Sequence, residues 1–186
     1  MRFKTDPRPS VAAMTECPEC GFVYEGLPLD AVAPSMRAFA RSYREALEGI
    51  DQAVASERPE PTVWSALEYT CHIRDVLLVQ RDRVVLAHVV ECPQPVPMSR
   101  DERVSICRYD AQSMADVLDQ LAMASELCAL VFEGLDDDAL AREIIYNFPT
   151  PVVRDLGWMG RHTVDEGVHH LKDIHDVLAA LTPSVA

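Results

Sequence analysis

Histidine and carboxylate side chains are concentrated near the C-terminal end of the chain, in the stretch HTVDEGVHHLKDIH at residues 162–175. In a helix, residues four apart lie one above the other, so His162, Glu166 and His170 would share one face, with His169 close beside them. A glutamate and a histidine at this spacing can bind the same ion, because both side chains reach the same point. The spacing therefore predicts a divalent metal site to which Glu166 and His170 contribute two ligands.

A third ligand must come from another helix. His72 is the candidate, since it lies in the middle of the helix-like stretch WSALEYTCHIRD at residues 64–75. An isolated histidine is usually an ordinary surface residue, but His72 together with the Glu-x3-His spacing favours a metal site. We predict that His162 supports the ligands from the start of its helix rather than binding as a fourth, because catalytic sites keep an open position.

Two carboxylates each follow a predicted histidine ligand by three residues. Asp173 follows His170 and Asp75 follows His72, so each could accept a hydrogen bond from an imidazole and orient it. The alternative is that both carboxylates form salt bridges with neighbouring basic residues. His175 points away from the ligand face, and we expect it to lie in solvent.

Six cysteines are present, and their positions favour reduced thiols over disulfides. Cys17 and Cys20 form the motif CPECG, which is half of a zinc knuckle. One prediction is a structural zinc site completed by the pair His88-x3-Cys92, with Cys107 as an alternative fourth ligand. The motif could equally be packed without metal or be redox-active.

Four segments have the three- and four-residue periodicity of amphipathic helices. They cover about residues 35–56, 63–92, 113–132 and 155–181, and Thr62 is placed to cap the second. Strand patterns are limited to the short stretches 143–148 and 152–153. The predicted fold class is therefore all-α, an up-down four-helix bundle. We assign residues 1–33 to an N-terminal extension that carries the CPEC motif and residues 34–186 to the bundle domain.

The overall composition narrows the class of partner. The chain has 186 residues, of which 48% are apolar, and its 17 basic against 30 acidic side chains give a net charge of −13. This charge repels nucleic acid and anionic membrane surfaces, so a small-molecule substrate or another protein is the expected partner. The first residues contain no apolar run long enough for a signal sequence or a membrane span, so we expect a cytoplasmic protein.

The sequence resembles the DinB/YfiT-like metal-binding bundles, which include mycothiol-dependent maleylpyruvate isomerase and related thiol transferases, over about residues 34–181. The stretches that carry the resemblance are Trp64 and His72 followed by Asp75, the segment from Gly157-Trp158 to Arg161-His162, and Glu166-x3-His170 followed by Leu171 and Asp173-Ile174. The resemblance implies a His, Glu, His metal site, usually zinc or nickel, with open positions for water or a thiolate. Many relatives carry histidine at the position of Glu166, so the match is to the branch with a carboxylate ligand. The sequence shows no counterpart of the isomerase's additional C-terminal domain, so the resemblance implies the broader class rather than that reaction.

Three functions are compatible with these residues. The favoured one is a metal-dependent S-transferase, in which the ion binds a low-molecular-weight thiol as thiolate and directs it at an electrophile. Tyr69, Asp75, Trp158 and His162 would line its site. The second function is hydrolysis by water at the same ion. The third is a non-catalytic, homodimeric bundle that binds a metal or another ligand.

Overall fold

The predicted all-α four-helix bundle is confirmed. The computed structural model describes residues 15–147 and 150–181. The first segment, 1–14, for which no signal sequence was predicted, lies outside it. So do residues 182–186, the end of the predicted bundle domain. The helices are α1 (Val32–Ala46), α2 (Gln52–Ser56), α3 (Ala66–Val89), α4 (Arg100–Ile106), α5 (Met114–Glu133), α6 (Asp137–Leu140) and α7 (Leu156–Leu181), and the strands are β1 (Glu143–Tyr146) and β2 (Val152–Asp155).

The four long helices α1, α3, α5 and α7 surround the core in an order that differs from their order in the chain. Helix α1 packs against α5 and α7, and α3 packs against the same two helices. Within the part of the chain that the structure describes, α1 and α3 make no extensive contact, nor do α5 and α7. Helices α3 and α7 are therefore neighbours, which is the arrangement that a metal site shared by His72 and His170 requires.

Two helix boundaries differ from the predicted ones. The predicted first helix, 35–56, is divided into α1 and α2, because Gly49 takes a φ of +73° and ends the regular backbone. The predicted second helix starts later than expected. Ser65, not Thr62, caps α3 by accepting a hydrogen bond from the Glu68 amide, while the Glu68 carboxylate accepts one from the amide of Ser65 at 2.8 Å. This reciprocal capping box satisfies two amides at the helix end.

The strand patterns of the sequence correspond to a two-stranded antiparallel sheet. Glu143 pairs with Asp155 at one end and Tyr146 with Val152 at the other. The hairpin leads directly into α7, and the amide of Leu156 donates to the Arg142 carbonyl at 3.0 Å. No helix among the described residues combines the length and the apolar character needed to cross a membrane.

Close packing of α1 against α7 fixes the position of the ligand-bearing face. The apolar stripe of α1 is buried, with Met36, Phe39 and Tyr43 in the core. The Phe39 ring lies on Gly167, where a Cβ atom would be 2.2 Å from Cζ of the ring. The Tyr43 hydroxyl donates to the Gly167 carbonyl at 2.8 Å. Only glycine allows this approach, which places the neighbouring Glu166 at a fixed depth in the bundle.

Candidate metal centre

The structure brings His72, Glu166 and His170 together. His72 projects from α3 and the other two from α7, and one ligand atom from each lies within 4.8 Å of the others. Glu166 Oε2 is 3.5 Å from His170 Nε2 and 3.9 Å from His72 Nε2. Ligand atoms that share one tetrahedral zinc ion lie about 3.3 Å apart, so small movements bring these three onto one ion. The three residues fit a divalent metal ion.

Asp173 holds His170 in the orientation that a metal ligand needs. Its Oδ2 lies 2.8 Å from His170 Nδ1, which places the proton on Nδ1 and directs Nε2 towards Glu166. Burial by itself would lower the pKa of His170, but the hydrogen bonds to Asp173 and Glu166 outweigh it and raise the pKa to about 9. Without metal, His170 is therefore an imidazolium at neutral pH, and a metal ion must displace its proton.

The pKa values of the other two predicted ligands, His72 and Glu166, are also shifted by their surroundings. Burial lowers the pKa of His72, so its neutral, metal-binding form is favoured. Burial opposes ionisation of Glu166, but hydrogen bonds from His170 and His72 hold its pKa well below the usual range. Trp64 packs edge-on against His72, with 5.1 Å between the ring centroids. The centre thus presents one carboxylate and one neutral imidazole, with a second imidazole that becomes available on loss of a proton.

His162 is buried beside the predicted ligands in a hydrogen-bonded chain. Its Nε2 lies 3.3 Å from Glu166 Oε1, and its Nδ1 lies 2.7 Å from the Tyr24 hydroxyl. That hydroxyl donates to Asp165 Oδ2 at 2.6 Å. Because the single hydroxyl proton is directed at Asp165, the network assigns the imidazole proton to Nδ1. The other ring nitrogen, Nε2, faces Glu166 and has no hydrogen-bond partner among the described residues.

Tyr24 was not identified from the sequence. It follows the CPEC motif outside any periodic segment, so no pattern indicated that it would be buried against α7. Its ring stacks with that of Trp158 at 5.7 Å, and the Trp158 ring stacks with His162 at 4.7 Å. Burial would raise the pKa of Asp165, but hydrogen bonds from His162 and Tyr24 keep it below its ordinary value.

Two cavities meet at the centre. The first, of about 330 Å³, is lined by His72, Arg83 and Tyr146 among others, and the second, of about 580 Å³, by Tyr69 and His170 among others. Glu166 lines both. An ion held by the three residues would therefore be reachable from two sides.

Two residues that were predicted to line or support the site lie elsewhere. Trp158 lines neither of these two cavities and packs behind His162 instead. Asp75 does not orient His72. Its carboxylate accepts hydrogen bonds from Arg74 Nε at 2.8 Å and from the Tyr109 hydroxyl at 2.7 Å. Arg103 of α4 lies 3.3 Å from the same carboxylate, so Asp75 faces the segment 103–109, and the salt-bridge alternative describes its contacts.

The predicted ligand set for the CPEC motif also requires correction. Cys17 and Cys20 lie beside His169 of α7, and among the described residues no metal-binding cluster joins them to His88, Cys92 or Cys107. His88 is exposed at the end of α3, where its Nδ1 lies 2.9 Å from the Val84 carbonyl. Cys17 and Cys20 lie apart from the predicted partners because the N-terminal segment packs on α7 through Tyr24 and not on the end of α3. All six cysteines are free thiols.

Comparison with known proteins places this geometry in a family. The model of the DinB superfamily matches residues 36–174. YfiT from Bacillus subtilis, described as a probable metal-dependent hydrolase with an unusual four-helix bundle topology, has the same fold with a TM-score of 0.73. The match covers 80% of this chain and 85% of YfiT, at 14% sequence identity. No curated protein matches the sequence.

Proposed function

The chain belongs to the DinB superfamily, and from this premise we propose that it is a metal-dependent enzyme that transfers a low-molecular-weight thiol to an electrophilic small molecule. His72, Glu166 and His170 would hold the ion. When bound, a zinc or nickel ion would act as a Lewis acid and lower the pKa of a bound thiol or water molecule, so that it ionises near neutral pH.

One observation carries the choice of a transferase: Glu166 lies between two cavities, with His72 on one side and His170 on the other. A reaction between two organic molecules needs space for both next to the same reactive atoms. Water needs no cavity of its own. We assign the larger cavity, lined by Tyr69 and His170, to the thiol cosubstrate and the smaller one to the electrophile.

We assign an acidic electrophile to the smaller cavity because of Arg83, although Asp101, Glu102 and Glu166 also line it. Arg83 lines it and is buried, yet within the described residues it forms no ion pair. Its guanidinium donates to Gln80 Oε1 at 3.2 Å and to the Val96 carbonyl at 3.3 Å, and its Nε has no hydrogen-bond partner. A buried cation without a counter-ion is costly, and a substrate carboxylate would remove that cost by pairing with it.

His162 is positioned to take up the thiol proton. Its Nε2 faces Glu166 Oε1 at 3.3 Å, while its Nδ1–H is held by the Tyr24 hydroxyl. A base held in one tautomer and within reach of the reacting group can accept the proton as the thiol ionises. Tyr24 and Asp165 orient this histidine and do not touch the reacting atoms.

The same proton acceptor would serve a hydrolase, and this is the second candidate function. YfiT is described as a probable metal-dependent hydrolase, and the His162–Tyr24–Asp165 chain would act on water as well as on a thiol. A bundle that only binds a metal or another ligand, as a homodimer, would show neither activity.

Activity measurements on the metal-loaded protein separate these candidates. Mycothiol or bacillithiol is offered with an unsaturated carboxylic acid, and an activated ester is offered without thiol. We expect thiol conjugation that requires the metal, with Glu166→Ala inactive and the exposed His175→Ala as active as wild type. Ester turnover without conjugation would support the hydrolase, and a protein inert in both assays would support the binding bundle.

The substrate charge is tested with matched variants. The neutral amide of the same acid should be conjugated about 10–100-fold less efficiently than the acid, since a hydrogen bond to a charged group contributes about 1.5–3 kcal/mol. Arg83→Gln should abolish that preference. An unchanged preference in this variant would show that another group recognises the acid.

A further inference from the structure

The CPEC motif forms a turn that directs both of its sulfur atoms towards α7. The Gly21 amide donates to the Cys17 carbonyl at 2.8 Å, and the Cys17 amide donates to the Phe22 carbonyl at 2.8 Å. Gly21 has a φ of +75°, which closes the turn, and the Phe22 amide donates to the Cys20 sulfur. Backbone amides directed at cysteine sulfurs stabilise thiolates in zinc knuckles.

A histidine of α7 completes a set of three ligand atoms. Nδ1 of His169 lies 3.7 Å from Cys17 Sγ, and the ligand atoms of Cys17, Cys20 and His169 all lie within 4.8 Å of one another. Sulfur and nitrogen atoms that share a tetrahedral zinc ion lie about 3.5–3.8 Å apart. The other ring nitrogen, Nε2, is 3.1 Å from a Glu19 carboxylate oxygen, which fixes the tautomer with Nδ1 free to bind.

We propose that Cys17, Cys20 and His169 bind a second metal ion, zinc by the nature of its ligands, at a site separate from the His72, Glu166 and His170 centre. Oδ1 of Asp165 lies 3.3 Å from Cys20 Sγ, but the set of ligand atoms within reach of one ion consists of Cys17, Cys20 and His169. This inference does not depend on the proposed transferase function.

The surroundings favour a bound cation over a reactive thiol pair. Reactive cysteines lie beside basic side chains or helix N-termini, whereas the side chains close to Cys17 and Cys20 are acidic. The carboxylates of Glu19, Asp165 and Asp173 all lie close to the three ligands. Such a negative environment disfavours two thiolates alone and stabilises them when a divalent cation is present.

The second ion would connect the N-terminal segment to the first metal centre. Cys17, Pro18 and Glu19 line the same cavity as His170, so a zinc ion that fixes the CPEC turn also fixes one wall of that cavity. Asp173 links the two sites directly, because its Oδ2 is 2.8 Å from His170 Nδ1 and 3.5 Å from His169 Nε2.

Cobalt substitution tests the second site without any activity assay. The first centre contains no sulfur, so a near-ultraviolet thiolate-to-cobalt charge-transfer absorption reports the second site alone. We expect one thiolate-bound cobalt and a total of two ions per wild-type chain. His72→Ala should keep the absorption and bind one ion less. Cys17→Ala combined with Cys20→Ala should lose the absorption and keep one ion.

The identity of the third ligand is decided by a matched pair of variants. His169→Ala should weaken thiolate-bound cobalt at least about tenfold, because one of three ligands is lost. The combined His88→Ala and Cys92→Ala variant should bind it like wild type. Because His169 is half-buried, His169→Gln serves as a second variant in case the alanine substitution disturbs folding. An affinity for thiolate-bound cobalt that is unchanged in both His169 variants, or an absorption that is missing from the wild type, would overturn the proposal.

Discussion

A single carboxylate, Asp173, contacts two neighbouring histidines of α7 and determines which nitrogen atom of His170 can bind metal. Its hydrogen bond to His170 Nδ1 leaves Nε2 directed at Glu166. Carboxylates in this position raise ligand basicity and hold the ring in place. Asp173 therefore belongs to the candidate metal centre, whereas Asp75, at the same spacing after His72, does not.

Asp173→Asn should lower metal affinity at the His72, Glu166 and His170 centre by about 10–100-fold. The measurement is competition with a chelator, in the Cys17→Ala and Cys20→Ala background so that one site is observed. Asp176→Asn is the matched control, since Asp176 is an exposed partner of Lys172 on the same helix. Equal affinities in the two variants would show that Asp173 does not support the centre.

Metal binding should release a proton near neutral pH. His170 has a pKa of about 9 in the metal-free protein, so it carries a proton below that pH and must lose it to bind an ion. Affinity should therefore rise about tenfold per pH unit up to about pH 9 and then level off. Calorimetric titration at pH 7, in buffers of different ionisation enthalpy, should report about one proton released per ion.

The control for this titration changes Asp173, whose hydrogen bond raises the pKa of His170. Asp173→Asn removes the hydrogen bond that holds the proton on His170, so fewer protons should be released at pH 7 and the rise of affinity should end at a lower pH. The Cys17→Ala and Cys20→Ala background again restricts the signal to one centre. A pH-independent affinity below pH 8 would contradict the assignment of His170 as a ligand.

At the scale of elements, the contact between α1 and α7 sets the depth of the ligand face. The Phe39 ring lies on Gly167, and there is no room between them for a methyl group. Glu166 precedes this glycine, so any separation of the two helices would also displace a ligand. Packing and function are coupled at this position because interiors are filled to high density.

Gly167→Ala should therefore destabilise the protein by about 1–3 kcal/mol, although alanine is the better helix former. Chemical denaturation measures the change, and metal affinity should fall with it. Gly134→Ala is the matched control. Gly134 ends α5 with a φ of −83°, and a Cβ there would lie 3.6 Å from its nearest neighbours, an ordinary contact. Equal stability of the two variants would refute overpacking against Phe39.

At the scale of the molecule, a metal ion would connect elements that are distant in the chain. The first set of candidate ligands lies on α3 and α7, and the second lies on the N-terminal segment and α7. The protein carries a net charge of −13, so bound cations also reduce the repulsion among its acidic side chains. Ligands that bind only the folded state stabilise it by mass action.

Removal of metal should lower the melting temperature of the wild-type protein by about 5–11 °C for each ion that is lost. An ion at 100 times its dissociation constant contributes about 2.7 kcal/mol, and for a chain of this size each kcal/mol corresponds to about 2–4 °C. Thermal denaturation with and without chelator measures the shift. The His72→Ala, Cys17→Ala and Cys20→Ala triple variant should show no shift, and an equal shift there would mean that the chelator acts elsewhere.

Local spacing alone determined much of this protein. The four long helices follow from apolar periodicity, and the Glu166-x3-His170 pair follows from the helical repeat, because both depend only on residues close in sequence. Even the hairpin strands were indicated by short β-branched stretches. Local spacing predicted the ends of the helices less well. Gly49 interrupts the first predicted helix by its backbone conformation, and Ser65 starts α3 by capping it, and neither effect appears in the apolar pattern.

Only the tertiary structure decided which of these local features meet. It placed His72 opposite Glu166 and directed Asp75 to Arg74 and Tyr109. It also placed Cys17 and Cys20 beside His169 and not beside His88 and Cys92. The ring order of the helices and the burial of Tyr24 against α7 were likewise set by packing. Contacts between different elements depend on how whole elements dock, and no periodicity within one element contains that information.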